Sequence, residues 1–190
     1  MHSVHSAQQI LSFWFDGDVQ AQRQRWFGKD EQTDVRIRDE FMADYQAAAD
    51  GRLADWQKSA LASLALVILL DQFPRNMFRA TPQAFATDRQ AREIARKVIA
   101  QDQDQALTPR QRMFVYLPFE HSEILEDQLY SISLFDSLGD AEGMAEVVRY
   151  AYLHHDVIAR FGRFPHRNNI LGRASTAEEL IFLRQAGSSF

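Results

Sequence analysis

Cysteine does not occur in the 190 residues. Its absence excludes a disulfide framework, thiolate metal sites and a cysteine nucleophile. Lysine is almost missing as well, with 3 residues against 18 arginines. Glycine and proline together number 13, too few for a chain dominated by tight turns. No apolar run reaches the roughly 18–20 residues a membrane span needs. The greasiest stretch, residues 60–70, is short and interrupted by Ser63. The opening Met-His-Ser-Val-His-Ser has no basic region leading into an apolar core, so no signal peptide is expected, and the expected location is cytoplasmic. A net charge of −5 weighs against nucleic acid as a partner, because that affinity rests on a basic surface. Also missing are His-Glu-x-x-His, a Gly-x-Ser-x-Gly elbow, a P-loop, a dinucleotide glycine fingerprint, and the repeated Glu-x-x-His of di-iron bundles. No metal site and no cofactor is expected.

What is present is a globular composition, 46% hydrophobic and 25% charged, long enough for one domain, residues 1–190, with its own core. Its periodicity is helical throughout. Ile10, Leu11, Trp14 and Phe15 share one face of a segment over 6–16 that stops at Gly17; Val35, Phe41, Met42 and Tyr45 do the same over 31–50, before Gly51. Between them Arg25-Trp26-Phe27-Gly28 reads as an aromatic connector. Residues 59–72 are apolar on nearly all sides, which predicts a central buried helix stopped by Pro74.

Further helices are predicted over 88–101, from the Thr108-Pro109-Arg110-Gln111 cap to a break at Pro118, over 119–137, over 140–160, and from a capping box at Ser175-Thr176-Ala177-Glu178 to about 185. No stretch alternates at period two long enough for a sheet. The fold class is all-α.

Charge is concentrated in one place. Residues 149–173 carry five arginines against Asp156, a local +4 that leaves −9 for the rest of the chain. Arginine suits a site that must grip a carboxylate or phosphate, and equally one that pairs with internal acids. Here His154 lies on the apolar row Met144, Val147, Ala151 and Ile158, while Asp156 and Arg160 are spaced to pair along the surface. Gly162 suits a left-handed helix end, and Pro165 fixes the turn that follows. Arg163, His166, Arg167 and an Asn168 cap would then form an anion cradle, with His166 exposed and chemically usable.

A second Phe-Pro turn, 73–79, carries Arg75, Asn76 and Arg79 behind Asp71 and Gln72. Its expected partner is the first. Arginines gathered so densely repel, which calls either for an anionic ligand or for interleaved carboxylates such as Asp71 and Glu120. Glu120, His121 and Glu123 read as the first turn of the 119–137 helix, serving its dipole, or with Glu120 or His121 facing the Arg-rich turn as a salt-bridge or acid/base partner.

Four segments carry a family resemblance: Leu-Ser-Phe-Trp-Phe near the start, Leu-Leu-Asp-Gln-Phe-Pro-Arg-Asn-Met-Phe-Arg, Tyr-Leu-Pro-Phe-Glu-His-Ser-Glu, and His-x-Asp-Val-Ile-x-Arg-Phe-Gly-Arg-Phe-Pro-His-Arg-Asn-x-x-Leu-Gly-Arg. Together they resemble the bacterial "domain of unknown function 924" family over residues 8–184. The resemblance implies antiparallel helix pairs in a tetratricopeptide-like right-handed array, although no 34-residue period is visible in the sequence. It implies no activity. Onto its motifs fall Asp71, Arg75, Asn76, Arg79, Glu120, His121, Glu123, His154, Arg160, Arg163, His166, Arg167 and Arg173.

Three readings stay open at this level, and none decides whether the protein is an enzyme. The first is a cleft for a small anionic metabolite, lined by these residues and Asn168, with His166 and Glu120 as catalytic candidates. The second is a scaffold that grips a protein or peptide, helped by aromatics such as Trp26, Trp56 and Phe190. The third is a purely structural ion-pair lock. Oligomeric state is not legible.

Overall fold

The computed structural model describes residues 4–139, 141 and 143–188. Among the described residues there are helices and turns and no strand, so the protein is all-α. None of these helices is long and apolar enough to cross a membrane. Phe190 lies outside the described residues, as does residue 140, where the sequence predicts a helix to begin.

The chain divides into two compact units, one of residues 1–79 and 83–118, the other of 80–82 and 119–190. In the first, α1 (Ala7–Phe15) opens with a capping box in which Ser6 and Gln9 exchange bonds, and buries Ile10, Leu11 and Trp14. Next comes α2 (Val19–Phe27), capped by Asp18. The sequence predicts only a connector over 25–28 here; Val19 and Phe27 are exposed, and apart from Ala21 and Trp26 the rest is polar, so no apolar stripe betrays the helix. Trp26 and Trp56 are half-buried, and Trp26 Nε1 donates to the Trp14 carbonyl at 2.9 Å.

α3 (Glu31–Ala49) follows an Asp30 cap and packs against α5 (Phe73–Met77); α4 (Ala60–Val67) packs against α1 and α6 (Asp88–Ala100). Trp14, Phe41, Phe73 and Phe114 meet in tilted and edge-on contacts of 5.1–5.6 Å. Each such ring contributes about 1.5–3 kcal/mol by leaving water.

Pro74 does not stop the buried helix. The backbone widens to a π-turn over Ile68–Gln72, with the Phe73 N–H bonding the Ile68 carbonyl, and helix resumes through Met77. Proline lacks the N–H that would reach Leu70, and the wide turn gives its ring room. The Leu70 carbonyl instead accepts from Thr87 Oγ1 at 2.6 Å.

Pro118 also lies inside a helix, α7 (Pro109–Glu120), which runs past the predicted break. The Thr108–Gln111 box at its start does form, through bonds of 3.0 and 3.3 Å. At the other end the buried Gln128 amide gathers the carbonyls of Glu120 (2.7 Å) and Ser122 (2.6 Å).

The second unit contains α8 (Leu125–Asp136) packed against α9 (Met144–Phe161), and α10 (Ala177–Phe182). Met144, Ala151, His154 and Ile158 are buried along one face of α9, as the spacing predicts. Gly162 ends that helix at φ 67°, where a side chain would be strained, and its N–H bonds the Ile158 carbonyl. Val157, Ile158 and Phe164, with Phe161 and Phe182 against them, form the apolar floor beneath the basic turn.

Candidate functional site

The candidate residues fall into two sets, one in each unit. In the first unit, Arg75 forks onto Asp88 through Nη1–Oδ1 and Nη2–Oδ2 bonds of 3.0 and 3.1 Å, and also bonds the Asp71 carbonyl. Arg79 forks onto Asp34 at 2.6 and 2.7 Å, and Asn76 donates to the same carboxylate at 2.8 Å. Arg75, Asn76 and Arg79 thus take these partners from α3 and α6, whereas the sequence joins them to the other Phe-Pro turn. The reason is plain: Asp34 and Asp88 sit among ordinary helix-start acids, and only packing turns them toward arginine.

The second set is built around the turn after α9. Glu123, in the loop between α7 and α8, accepts Arg173 Nη1 and Nη2 at 2.7 and 2.9 Å and the Phe164 backbone N–H at 2.8 Å. Burial opposes its ionisation, but the Arg173 bonds, the Phe164 amide and the nearby charges of Arg173 and Arg167 hold its carboxyl below the usual range. The anion that the cradle residues were expected to hold is here, in part, a carboxylate of the chain itself.

Glu179 does the same for Arg163. It accepts Nε at 2.6 Å and Nη2 at 2.8 Å, then Asn168 Nδ2 at 3.2 Å and the Thr176 N–H at 2.7 Å. Arg163, first of all, then the Thr176 and Asn168 bonds, outweigh burial and draw its pKa down to about 2. The capping box is therefore Thr176–Glu179, one residue later than the sequence predicts, and its acid serves as both cap and counter-ion.

Asn168 begins no helix. Fully buried, it accepts Arg173 Nε and donates to Ser175 Oγ and Glu179, tying the loop closed. Arg160 bonds Glu178 at 2.7 and 3.0 Å, not Asp156, which meets His155 Nδ1 at 3.2 Å. Glu178 and Glu179, like Asp34 and Asp88 in the first unit, are partners that sequence reasoning missed. Their signal was the surplus of arginine itself, which requires carboxylates somewhere nearby in space.

Glu120, His121, His154, His166 and Arg167 form the remainder. Because α7 runs through Pro118, Glu120 is its last residue and His121 the turn after it; neither opens a helix, so neither serves the dipole of an N-terminus. Glu120 is buried, with Oε1 3.2 Å from His154 Nδ1; the same nitrogen lies 2.8 Å from the Tyr150 carbonyl, which fixes the proton on Nδ1.

The rings of His121 and His154 stand 6.5 Å apart; Phe164 is 5.5 Å from both His154 and His166, and the buried Arg167 guanidinium stacks over it at 4.5 Å. Burial first, then the charges of His121, Arg167 and His166, push His154 down to about 3 despite the Tyr150 bond. Burial and Arg167 likewise push His166 down to about 4, against the pull of Glu123. His166, in the 3-10 turn Pro165–Arg167, is half-buried, not exposed as the turn suggested, with its ring against that of Phe164.

At neutral pH His154 and His166 are neutral imidazoles beside a guanidinium. Arg167 can donate to an oxyanion with a full charge and His166 through the one nitrogen that bears its proton, whereas His154, its proton on Nδ1 toward the Tyr150 carbonyl, keeps only an acceptor at Nε2. His121, Glu123 and His166 keep part of their surface in solvent.

A basic, carboxylate-braced turn on an all-helical body defines the class of protein structurally. The chain belongs to the family described as bacterial protein of unknown function, DUF924, whose model matches residues 10–187. It is similar to the solved structure of a protein of unknown function, ATU0120, from Agrobacterium tumefaciens, with 42% identity, 93% of this chain and 96% of that chain covered, and a TM-score of 0.85. No curated protein matches it.

Proposed function

We propose that the second unit binds a small anion, carboxylate or phosphate, against Arg167 and the imidazoles of His121 and His166, with His154 packed behind them. The supporting observation is that the buried Arg167 guanidinium and the His166 ring both lie against Phe164, with His154 and beyond it His121 alongside, which makes a wall with one full positive charge and imidazole donors held in place. An anion is the charge this wall attracts. Glu120, beside His154, is the group that would carry a proton in any reaction there. Arg75, Arg79, Arg160, Arg163 and Arg173 brace the fold in this reading and do not touch the ligand.

A thermal-shift screen of the full chain against inorganic phosphate, citrate and succinate tests it. A ligand at about a hundred times its Kd adds about 2.7 kcal/mol of stability. The expected result is a hit lost in Arg167→Leu and in His166→Gln but kept in Arg160→Ala. A flat screen with all three anions sinks the reading.

The second reading is a tetratricopeptide-like scaffold that grips a peptide, its arginines being structural locks. Four arginine–carboxylate forks, Arg75–Asp88, Arg79–Asp34, Arg163–Glu179 and Arg173–Glu123, favour it. Under it, Arg167→Leu destabilises the protein strongly and no small anion shifts its melting.

A further inference from the structure

The first unit contains a groove of about 420 Å³ between α1, α2 and α3, within the size range of small-molecule sites. Its base is aromatic: Phe13 and the buried Phe41 lie 4.8 Å apart at a tilt of 52°. Gln9, Ser12, Phe13 and Asp16 recur at helical spacing, so one face of α1 forms a wall. Arg25 from α2 and Arg36 from α3 both extend over the Phe13 ring, at 5.2 and 4.8 Å from its centroid.

Arg25 is held differently from the forked arginines. Its Nη1 donates to the Trp14 and Asp16 carbonyls at 3.2 and 2.9 Å, which anchors the guanidinium by main chain and leaves it facing the groove without a carboxylate fork. Burial and the neighbouring charge of Arg36 both disfavour its protonated form, while Asp16 favours it. Arg36 shares only one nitrogen, Nε, with Glu40 at 2.8 Å. Two positive groups and two carboxylates thus rim an aromatic base. A bare anion would meet Asp16 and Glu40, and a bare cation would meet the arginines. A molecule carrying both charges and an apolar body complements all of them.

We infer that this groove binds a small zwitterion of the amino-acid class. Its carboxylate sits on Arg25 and Arg36, its apolar side chain lies against Phe13 and Phe41, and its ammonium group faces Asp16 and Glu40. This site is independent of the anion pocket proposed above, because every residue it uses lies in the other unit.

Isothermal titration calorimetry of the full chain with L-phenylalanine and L-leucine tests the inference. Two analogues that each lack one charge, 3-phenylpropanoate and phenethylamine, are titrated in parallel. The expected result is saturable one-to-one binding of at least one amino acid, with each analogue weaker by about tenfold or more, since a partner left without its hydrogen-bonding group loses that contact. Arg25→Gln lowers the affinity by about tenfold. Because Arg25 also anchors two carbonyls, Ser12→Phe serves as the second variant: residue 12 is exposed, so the added ring fills the groove and leaves the core contacts in place. It abolishes binding while the melting temperature is retained. The inference is overturned by no heat with either amino acid, by 3-phenylpropanoate binding as tightly as L-phenylalanine, or by a Ser12→Phe protein that still binds.

Discussion

Glu123 and Arg173, fifty positions apart in sequence, meet through two parallel bonds of 2.7 and 2.9 Å, and the same carboxylate holds the Phe164 N–H. One acid thereby joins the α7–α8 loop to both ends of the basic turn. Removing either partner leaves the other charge partly buried without its mate. Arg173→Leu and Glu123→Gln are each expected to lower unfolding free energy by about 2–3 kcal/mol, somewhat under the cost of breaking a fully buried pair. The double variant should cost less than the two summed. Urea denaturation of the four proteins measures this, and simple additivity would show that the pair is not coupled.

Glu179 gives the protein a titration in acid. Its folded pKa, about 2, lies below its ordinary 4.5, so its contribution is present above pH 4.5 and is lost as the pH falls toward 2. Glu179→Gln should lower stability at pH 7 and flatten the stability profile between pH 4.5 and 2. Thermal melts across that range check it; an unchanged slope would remove Glu179 from the lock.

His154 acts over a higher window. The unfolded imidazole takes up a proton below about pH 6.5 while the folded one resists until about 3, so stability falls as the pH drops through this window, by about 1.4 kcal/mol per unit at most. His154→Asn, whose amide can mimic the Nδ1–H donor, should remove that slope and leave the neutral-pH stability within about 1–2 kcal/mol. The imidazole proton signals, followed by NMR during the titration, should show this residue unprotonated at pH 5.

Thr87 compensates for Pro74. Thr87→Val keeps the shape but leaves the Leu70 carbonyl, in the buried turn Ile68–Gln72, without that donor. The expected loss is about 1–3 kcal/mol. Chemical denaturation measures it, and hydrogen exchange should report earlier opening of the segment around Ile68–Gln72.

Helical class was readable because it depends on local spacing: the buried row of α9, the Thr108 cap and the Gly162 terminus are all patterns within a few residues. α2 was not readable, having no apolar stripe. Pro74 misled because a break and a widened turn begin from the same missing N–H, and here the distant Thr87 hydroxyl takes up the orphaned carbonyl.

For the candidate site, sequence alone determined that arginine, histidine and asparagine crowd one turn and that something must balance them. It could not say what. That Glu123 and Glu179 brace Arg173 and Arg163, while Glu120 faces His154, was decided only by tertiary structure. Ion pairing depends on distance in space, and carboxylates on three separate segments look alike until packing brings one of them to each guanidinium.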